Sequence, residues 1–497
     1  MIRISILAFI FLCFSIPSIC GERNIYSDNC IEAQHLIFDL KLDKAEELLS
    51  KEESQNPTNI LTIRLRSYID FLKAFISEEQ YYYERFEENT ETRLDFLSSN
   101  FQDSPLNKMI QAEIALQLSV TEFQNEEYIS SAWDLRKSYR LFVKNKEEHP
   151  DFIENNVGLG LMHALIGATP DKYKWLMNIA GMKGDLNTGL KELNEVYKFS
   201  IANNLSPLTE EVSLIRLLTE LHINKDFENA NVIAESLIKE SHKTLILFSL
   251  SHYYMNTGNT DKAYDLLQNN NFSKDRFPFL YLYFMRGTAG LYQLNLSKET
   301  YDDMNLFTSK YKGFNFIKAA YQKKAWFKFL RGDTASYKNM LQLCLTKGND
   351  FTDEDKQAIV EAKSGNLPNV NILKARILFD GGYYDKAKAL LEAYNENNFT
   401  DFKSKVEYNY RLARTLDKLN EDEQSIVHYL KTIDNSIDKP WYYAANSSYF
   451  LGRYYEEKKD YTNAKLYYSK CFEIDNTEYR NSIRQKAKTG LNRIKNK

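Results

Sequence analysis

Residues 444–475 read AANSSYFLGRYYEEKKDYTNAKLYYSKCFEID. Leu451, Gly452 and Tyr455 fall on one helical face. Ala464 follows Gly452 by 12 positions, and Tyr468 follows Ala464 by four. Small residues at Gly452 and Ala464 let two antiparallel helices touch, and the aromatic rings fill the space beside the contact. A single helix pair cannot bury its apolar face alone, so this stretch predicts an array of stacked pairs.

The 12-residue step recurs. Ala375/Ala387 and Ala413/Ser425 precede Gly452/Ala464, and their second members lie 38 and 39 positions apart. Near the other end Ala33 and Ala45 show the same step, with Leu49 and then Pro57 behind them. Ala230 and Ala263 are 33 positions apart, with Ser251, Tyr254 and Leu267 marking the second unit. This pattern is similar to the tetratricopeptide (TPR) repeat, whose period is about 34 residues. The fold class it implies is all-α: a TPR-like α-solenoid of stacked antiparallel helix pairs. Residues 60–88 predict one long amphipathic stretch. Residues 106–145 predict a pair broken near Gln124-Asn125. Ser206-Pro207 reads as an N-cap followed by proline at the first helical position. Gly332 marks a turn, residues 352–355 a capped start, and residues 479–497 a polar capping helix.

Composition fits that reading: 34 Tyr and 30 Phe, but only 18 Gly and 9 Pro in 497 residues. The net charge of −4 with both signs interspersed gives nucleic acid nothing to grip. Residues 1–20 read as a secretory signal peptide: Arg3, an apolar run over 4–16, and small residues Ser18 and Cys20 before Gly21. The alternative places a lipid on Cys20. No later run is long and apolar enough to span a bilayer. Cys30, Cys344 and Cys471 are scattered and predict buried packing, not a disulfide framework. Sequons stand at Asn204, Asn271, Asn295, Asn398 and Asn446. The expected organisation is N-terminal repeats over 21–156, a repeat with an apolar insertion over 157–205, degenerate repeats over 206–350, and regular repeats with the cap over 351–497.

Residues 157–193 differ from the rest: VGLGLMHALIGATPDKYKWLMNIAGMKGDLNTGLKEL. Gly158 and Gly160 open an apolar helix, Thr169-Pro170 ends it, and Gly181 and Gly184-Asp185 precede a helix bearing Gly189-Leu190 and Leu193. A short segment with Trp175, Leu176 and Ile179 lies between. This order resembles the eukaryotic inclusion-body-clearance family of TPR proteins, with Met182 where an aromatic is usual and no Trp-rich segment in 300–350. The resemblance implies an all-helical, non-catalytic protein, and together with the leader it implies an exported bacterial relative.

No HExxH, P-loop, GxSxG or paired Cys/His motif is present, and the seven histidines include no i,i+4 pair. The expectation is no enzyme, no cofactor and no metal. Gly158 and Gly160 read as helix packing, Asp185 as an N-cap, and Tyr81, Tyr82, Tyr83 and Trp175 as packing aromatics. One constellation points to binding. The residue after the small one is arginine in three successive repeats: Arg376, Arg414 and Arg453. Ile372, Tyr410 and Tyr449 stand one turn earlier. Three guanidiniums in a column would hold carboxylates or phosphates. The competing reading pairs them within their helices, with Asp380, with Asp417, and with Glu456 or Glu457. The function expected is an exported scaffold holding a protein or peptide partner in its concave groove. The alternative is a carrier of lipid or another apolar ligand, resting on residues 161–179.

Overall fold

A computed structural model describes residues 27–100, 103–169, 177, 181–270, 275–495 and 497. The leader, the Cys20 lipid site, the Asn271 sequon, and Pro170, Trp175, Leu176 and Ile179 lie outside the described residues. Within them the regular elements are helices, with no strand.

Eight antiparallel pairs follow one another: α1 (Asp28–Phe38) with α2 (Leu42–Gln55), α3 (Leu61–Ser77) with α4 (Gln80–Asn100), α5 (Pro105–Gln124) with α6 (Tyr128–Glu148), and α7 (Asn156–Gly167) with α8 (Leu186–Ala202). Then come α9 (Ser206–Thr219) with α10 (Phe227–Leu237), α11 (Thr244–Asn256) with α12 (Thr260–Asn269), α13 (Tyr281–Tyr292) with α14 (Lys298–Lys310), and α15 (Ile317–Leu330) with α16 (Thr334–Thr346). A single helix, α17 (Asp353–Ser364), packs on both α15 and α16. Three regular pairs finish the array: α18 (Val370–Asp380) with α19 (Tyr384–Glu392), α20 (Phe402–Lys418) with α21 (Asp422–Ser436), and α22 (Tyr443–Glu457) with α23 (Tyr461–Glu473). The last helix, α24 (Arg480–Ile494), covers the open side of the final pair. Among the described residues no helix is long and apolar enough to cross a membrane.

Local sequence sets the breaks. Ser104, Ser297 and Thr352 each cap a helix, their side chains accepting from the backbone N–H of Asn107, Thr300 and Asp355. The stretch over 60–88 is two helices, because Glu78 takes a left-handed conformation at φ 54° and ends α3. Ser206 is the first residue of α9 rather than its cap; Leu205 holds the cap position and makes no side-chain cap bond. Asp185 caps α8, accepting from Asn187 and Thr188.

Small residues sit where the helices cross. A Cβ on Gly189 would lie 2.4 Å from the Gly160 carbonyl oxygen, and one on Gly158 would enter the Phe142 ring. The glycines of residues 157–193 therefore form a seam that lets α7 and α8 meet backbone to backbone. In the last repeat the Tyr468 ring is held between Gly452 on α22 and Gly490 on the cap, where Cβ atoms would lie 2.6 and 2.4 Å from it. The Tyr468 hydroxyl donates to Glu456, and Arg493 of the cap chelates the same carboxylate at 2.7–2.8 Å. Cys30, Cys344 and Cys471 are buried and unbridged.

The solenoid closes on itself. Asp39, after α1, takes a two-pronged contact from Arg276 at 2.8 and 3.0 Å and a hydrogen bond from the Thr244 hydroxyl. Glu78 accepts from Gln124, from the Asn315 side chain, and from the backbone N–H of Phe314 and Asn315, all between 2.7 and 3.0 Å. Further along, the turn before α12 meets the turn before α19: the Thr260 hydroxyl donates to the Gly381 carbonyl, and Gly258 touches Gly382.

At the centre of the first turn, Arg64 of α3 is fully buried between Glu113 of α5 and Glu211 of α9. It chelates Glu113 at 2.6 and 3.2 Å but stands 3.7 Å from Glu211, both of whose oxygens lack a hydrogen-bond partner. One guanidinium cannot compensate two buried carboxylates, so Glu211 is the one held neutral. Burial pushes Glu113 up to about 7 against the pull of Arg64. Burial also pushes Glu211 well up, and Glu113 adds to it. Glu211 keeps a proton in the fold, and Glu113 holds one to higher pH than in the unfolded chain, where both release it at about pH 4.3. The linked contribution of Glu113 is thus present below that pH and is lost as pH rises through about 7, and Glu211 shifts in the same sense. Glu211→Gln keeps the shape and removes the group that must stay protonated. Calorimetric melting should show a smaller drop in Tm between pH 5 and pH 8 than the parent shows, with the variant the more stable at pH 8.

Candidate functional site

The first helices of the last three pairs, α18, α20 and α22, each carry one of the three arginines. Residues 376, 414 and 453 occupy equivalent positions on them, but their surroundings differ. The Arg376 guanidinium donates to Glu361 of α17 at 2.9 Å, stands 3.9 Å from Asp380, and lies 4.5 Å from the centroid of the Trp326 ring. Trp326 donates to the same Glu361 at 2.6 Å. Arg453 donates to Glu457 at 2.8 Å on the exposed side of α22.

Arg414 makes neither kind of pair. Its guanidinium carbon sits 3.5 Å from the centroid of the Phe450 ring and 5.4 Å from that of Phe379, a cation between two aromatic faces. Its Nη1 is buried with no hydrogen-bond partner among the described residues. Asp417, three residues on, accepts from the Tyr429 hydroxyl at 3.1 Å instead. The charges facing Arg414 include Lys418 on its own helix and Lys486 on the cap. Both residues are exposed overall, but desolvation of their ammonium groups draws them below the usual lysine range, with Arg414 pressing them further. A guanidinium edge without a partner, among other cations, is suited to receive an anion.

Tyr410 is 4 % exposed, its ring against Tyr442 and Tyr443 and its hydroxyl accepting from Asn446. It packs the α20–α22 contact. Tyr449 is half-buried, its ring 5.3 Å from that of Phe450.

Ile372 and Arg376 line a cleft of about 460 Å³, together with Arg411, Glu407, Trp441 and Tyr442. Arg411 donates to Glu407 at 3.0 Å and to the Tyr442 hydroxyl at 3.3 Å. Burial works to raise Glu407, but Arg411 and then Arg376 hold its carboxyl below the ordinary range. Sequence reasoning missed Arg411 because it followed only the position after each small residue. The signal was there: 404, 407, 411, 414 and 418 form one helical stripe.

A second cavity of about 450 Å³ lies where the solenoid closes on itself. Rings of Phe279, Tyr281, Phe284 and Phe351 share its walls with polar side chains, among them Glu78, Lys323 and Asp380. The Lys323 ammonium sits 3.9 Å from the centroid of Trp326, and burial lowers it to about 8. His252 also lines this cavity, its Nε2 2.9 Å from that of His222. Burial pulls His222 down to about 4 and His252 to about 3, so both rings are neutral. Thirty positions separate the two, so spacing within one helix could not show the pair.

Residues 445–478 match the tetratricopeptide repeat family, covering α22, α23 and the turn into the cap. No curated protein matches the chain. Among solved structures, one of Naa15/Naa10 bound to HypK-THB is similar over 94 % of this chain and 66 % of its own, at 10 % identity and a TM-score of 0.25. This chain thus spans just under two thirds of that one's length, and so loose a superposition carries no argument about site or partner.

The two central arginines should respond oppositely to removal. Arg376→Met leaves the largely buried Glu361 without its cation and should cost about 2 kcal/mol or more of stability. Arg414→Met breaks no ion pair and keeps an apolar stem over Phe450, so its cost should stay under about 1 kcal/mol. Denaturant unfolding of the two variants checks this.

Proposed function

We propose that this chain is an exported, non-catalytic scaffold that holds an acidic segment of a partner protein along the inside of its C-terminal repeats. The observation that carries this reading is Arg414, stacked on Phe450 with a buried, unpartnered Nη1 and with Lys418 and Lys486 about it. Arg453 flanks it on the more open side. The cleft beside Arg376 and Arg411, walled by Trp441 and Tyr442, would take an apolar side chain of the same segment. Export rests on the leader over residues 1–20. The likeness of residues 157–193 to the inclusion-body-clearance family rests on the order of Gly158, Gly160, Thr169-Pro170, Gly184-Asp185 and Gly189-Leu190 in the sequence.

Fluorescence anisotropy with labelled acidic and neutral decapeptides tests the reading. Acidic peptides should be preferred, with affinity falling as salt rises. Arg414→Met should weaken the best of them about tenfold, or about 1.4 kcal/mol. Equal binding of neutral peptides, or an unchanged affinity in Arg414→Met, would refute it.

The aromatic cavity favours a second reading, an apolar ligand inside the solenoid. Leu161 and Met162, in the segment first suspected, are instead packed into the core. Mass spectrometry of an organic extract of natively purified protein should then reveal a stoichiometric amphiphile, and a clean extract removes this reading.

A further inference from the structure

Apart from the inner stripe, a knot of carboxylates joins the second and third helix pairs. Glu87 comes from the middle of α4, Glu122 from the last turn of α5, and Glu127 from the residue before α6. One carboxylate oxygen of each lies within 4.8 Å of the others. Asp134, on α6, adds a fourth carboxylate beside Glu122. The groups facing this knot from every side are few. Glu84 stands beside Glu87, the Tyr83 hydroxyl donates to Glu127 at 3.1 Å, and Lys137 is the one cation pressing on Asp134.

Glu122 is what separates this knot from an ordinary acidic surface. It is 5 % exposed, and its Oε2 is buried with no hydrogen-bond partner. A bare carboxylate oxygen inside a protein costs about 1–3 kcal/mol or more when nothing meets it. Here the groups nearest to it are other carboxylates and the Ser130 hydroxyl, which faces the same carboxyl. Two species can resolve that: a shared proton or a cation. Three oxygens within 4.8 Å of one another lie no more than about 2.8 Å from a common point, a few tenths of an ångström from the roughly 2.3–2.6 Å at which calcium holds its oxygen ligands. All the side chains on offer are hard oxygen donors, which disfavours zinc or copper. Glu127 is exposed and leaves room for water on the outer side.

We propose that Glu87, Glu122 and Glu127, with Asp134 behind them, form a calcium-class divalent cation site that pins α4 to the turn between α5 and α6. The ion would neutralise the buried Glu122 and supply the contact that its Oε2 lacks.

The test uses the whole chain, freed of metal by chelation, with terbium as a luminescent probe excited through tyrosine. Tyr83 is close enough to sensitise it. A saturable terbium signal should appear and be displaced by calcium, and calcium should raise the Tm. Glu127→Gln, at an exposed position that leaves the fold intact, should bind calcium at least tenfold more weakly, and Glu122→Gln should abolish the response. The proposal is overturned if the parent protein shows no saturable calcium binding up to about 5 mM, above the range of weak extracellular sites. It is equally overturned if Glu127→Gln binds as tightly as the parent. A third adverse outcome is that Glu122→Gln raises the Tm while calcium leaves the parent unmoved, since a shared proton would then account for the knot.

Discussion

Glu78 is the residue on which the closed form of this solenoid turns. It ends α3 in a left-handed conformation, and that turn carries its side chain across to the segment before α15. Four donors, two of them backbone N–H groups, converge on one half-buried carboxylate. Hydrogen bonds to a charged acceptor in a dry setting are among the stronger local contacts a protein makes. This one ties residues more than 230 positions apart. Asp39 with Arg276 and Thr244 repeats the device one helix pair earlier. Without such ties an array of helix pairs would contact only its neighbours. With them it encloses an aromatic cavity and gives the later repeats a fixed inner side.

Within the array the packing rule is small against large. Gly160 and Gly189 bring two backbones together, and Gly452 and Gly490 make room for the two faces of Tyr468. The sequence spacing of 12 between small residues is the trace of that rule, since it places both at the crossing of one antiparallel pair. Ser425 keeps the rule with a polar residue by turning its hydroxyl onto the Ala413 carbonyl. Where long-range ties matter more than nearest-neighbour packing, the spacing blurs. The helices between residues 277 and 364 show this, with α17 left unpaired between two runs of regular pairs.

The arginine column shows how one sequence position takes three different roles. Arg376 is bound into a network with Glu361 and Trp326, which belong to earlier helices. Arg453 pairs along its own helix. Only at Arg414 does the neighbouring aromatic, Phe450, occupy the guanidinium face and leave its edge without a hydrogen-bonding group. Equivalent register sets where a side chain starts; the next helix decides what it meets.

What the sequence by itself determined is periodic and local: helices, their small-residue crossings, the Asp185 and Thr352 caps, the Gly332 turn and the closing helix over 480–494. These depend on interactions across four residues or across one hairpin, and such interactions leave a repeating mark in the chain. What only the tertiary structure decided is everything joined between repeats, whether at the closure or from one pair to the next. Glu78 with Asn315, Arg64 between Glu113 and Glu211, the facing rings of His222 and His252, and the carboxylate knot at Glu122 all unite residues from different repeats. The separations of Glu78 from Asn315 and of Arg64 from Glu211 follow from how many pairs make one turn of the solenoid. That number is set by the summed small rotations of every helix crossing, and no single stretch of sequence carries it.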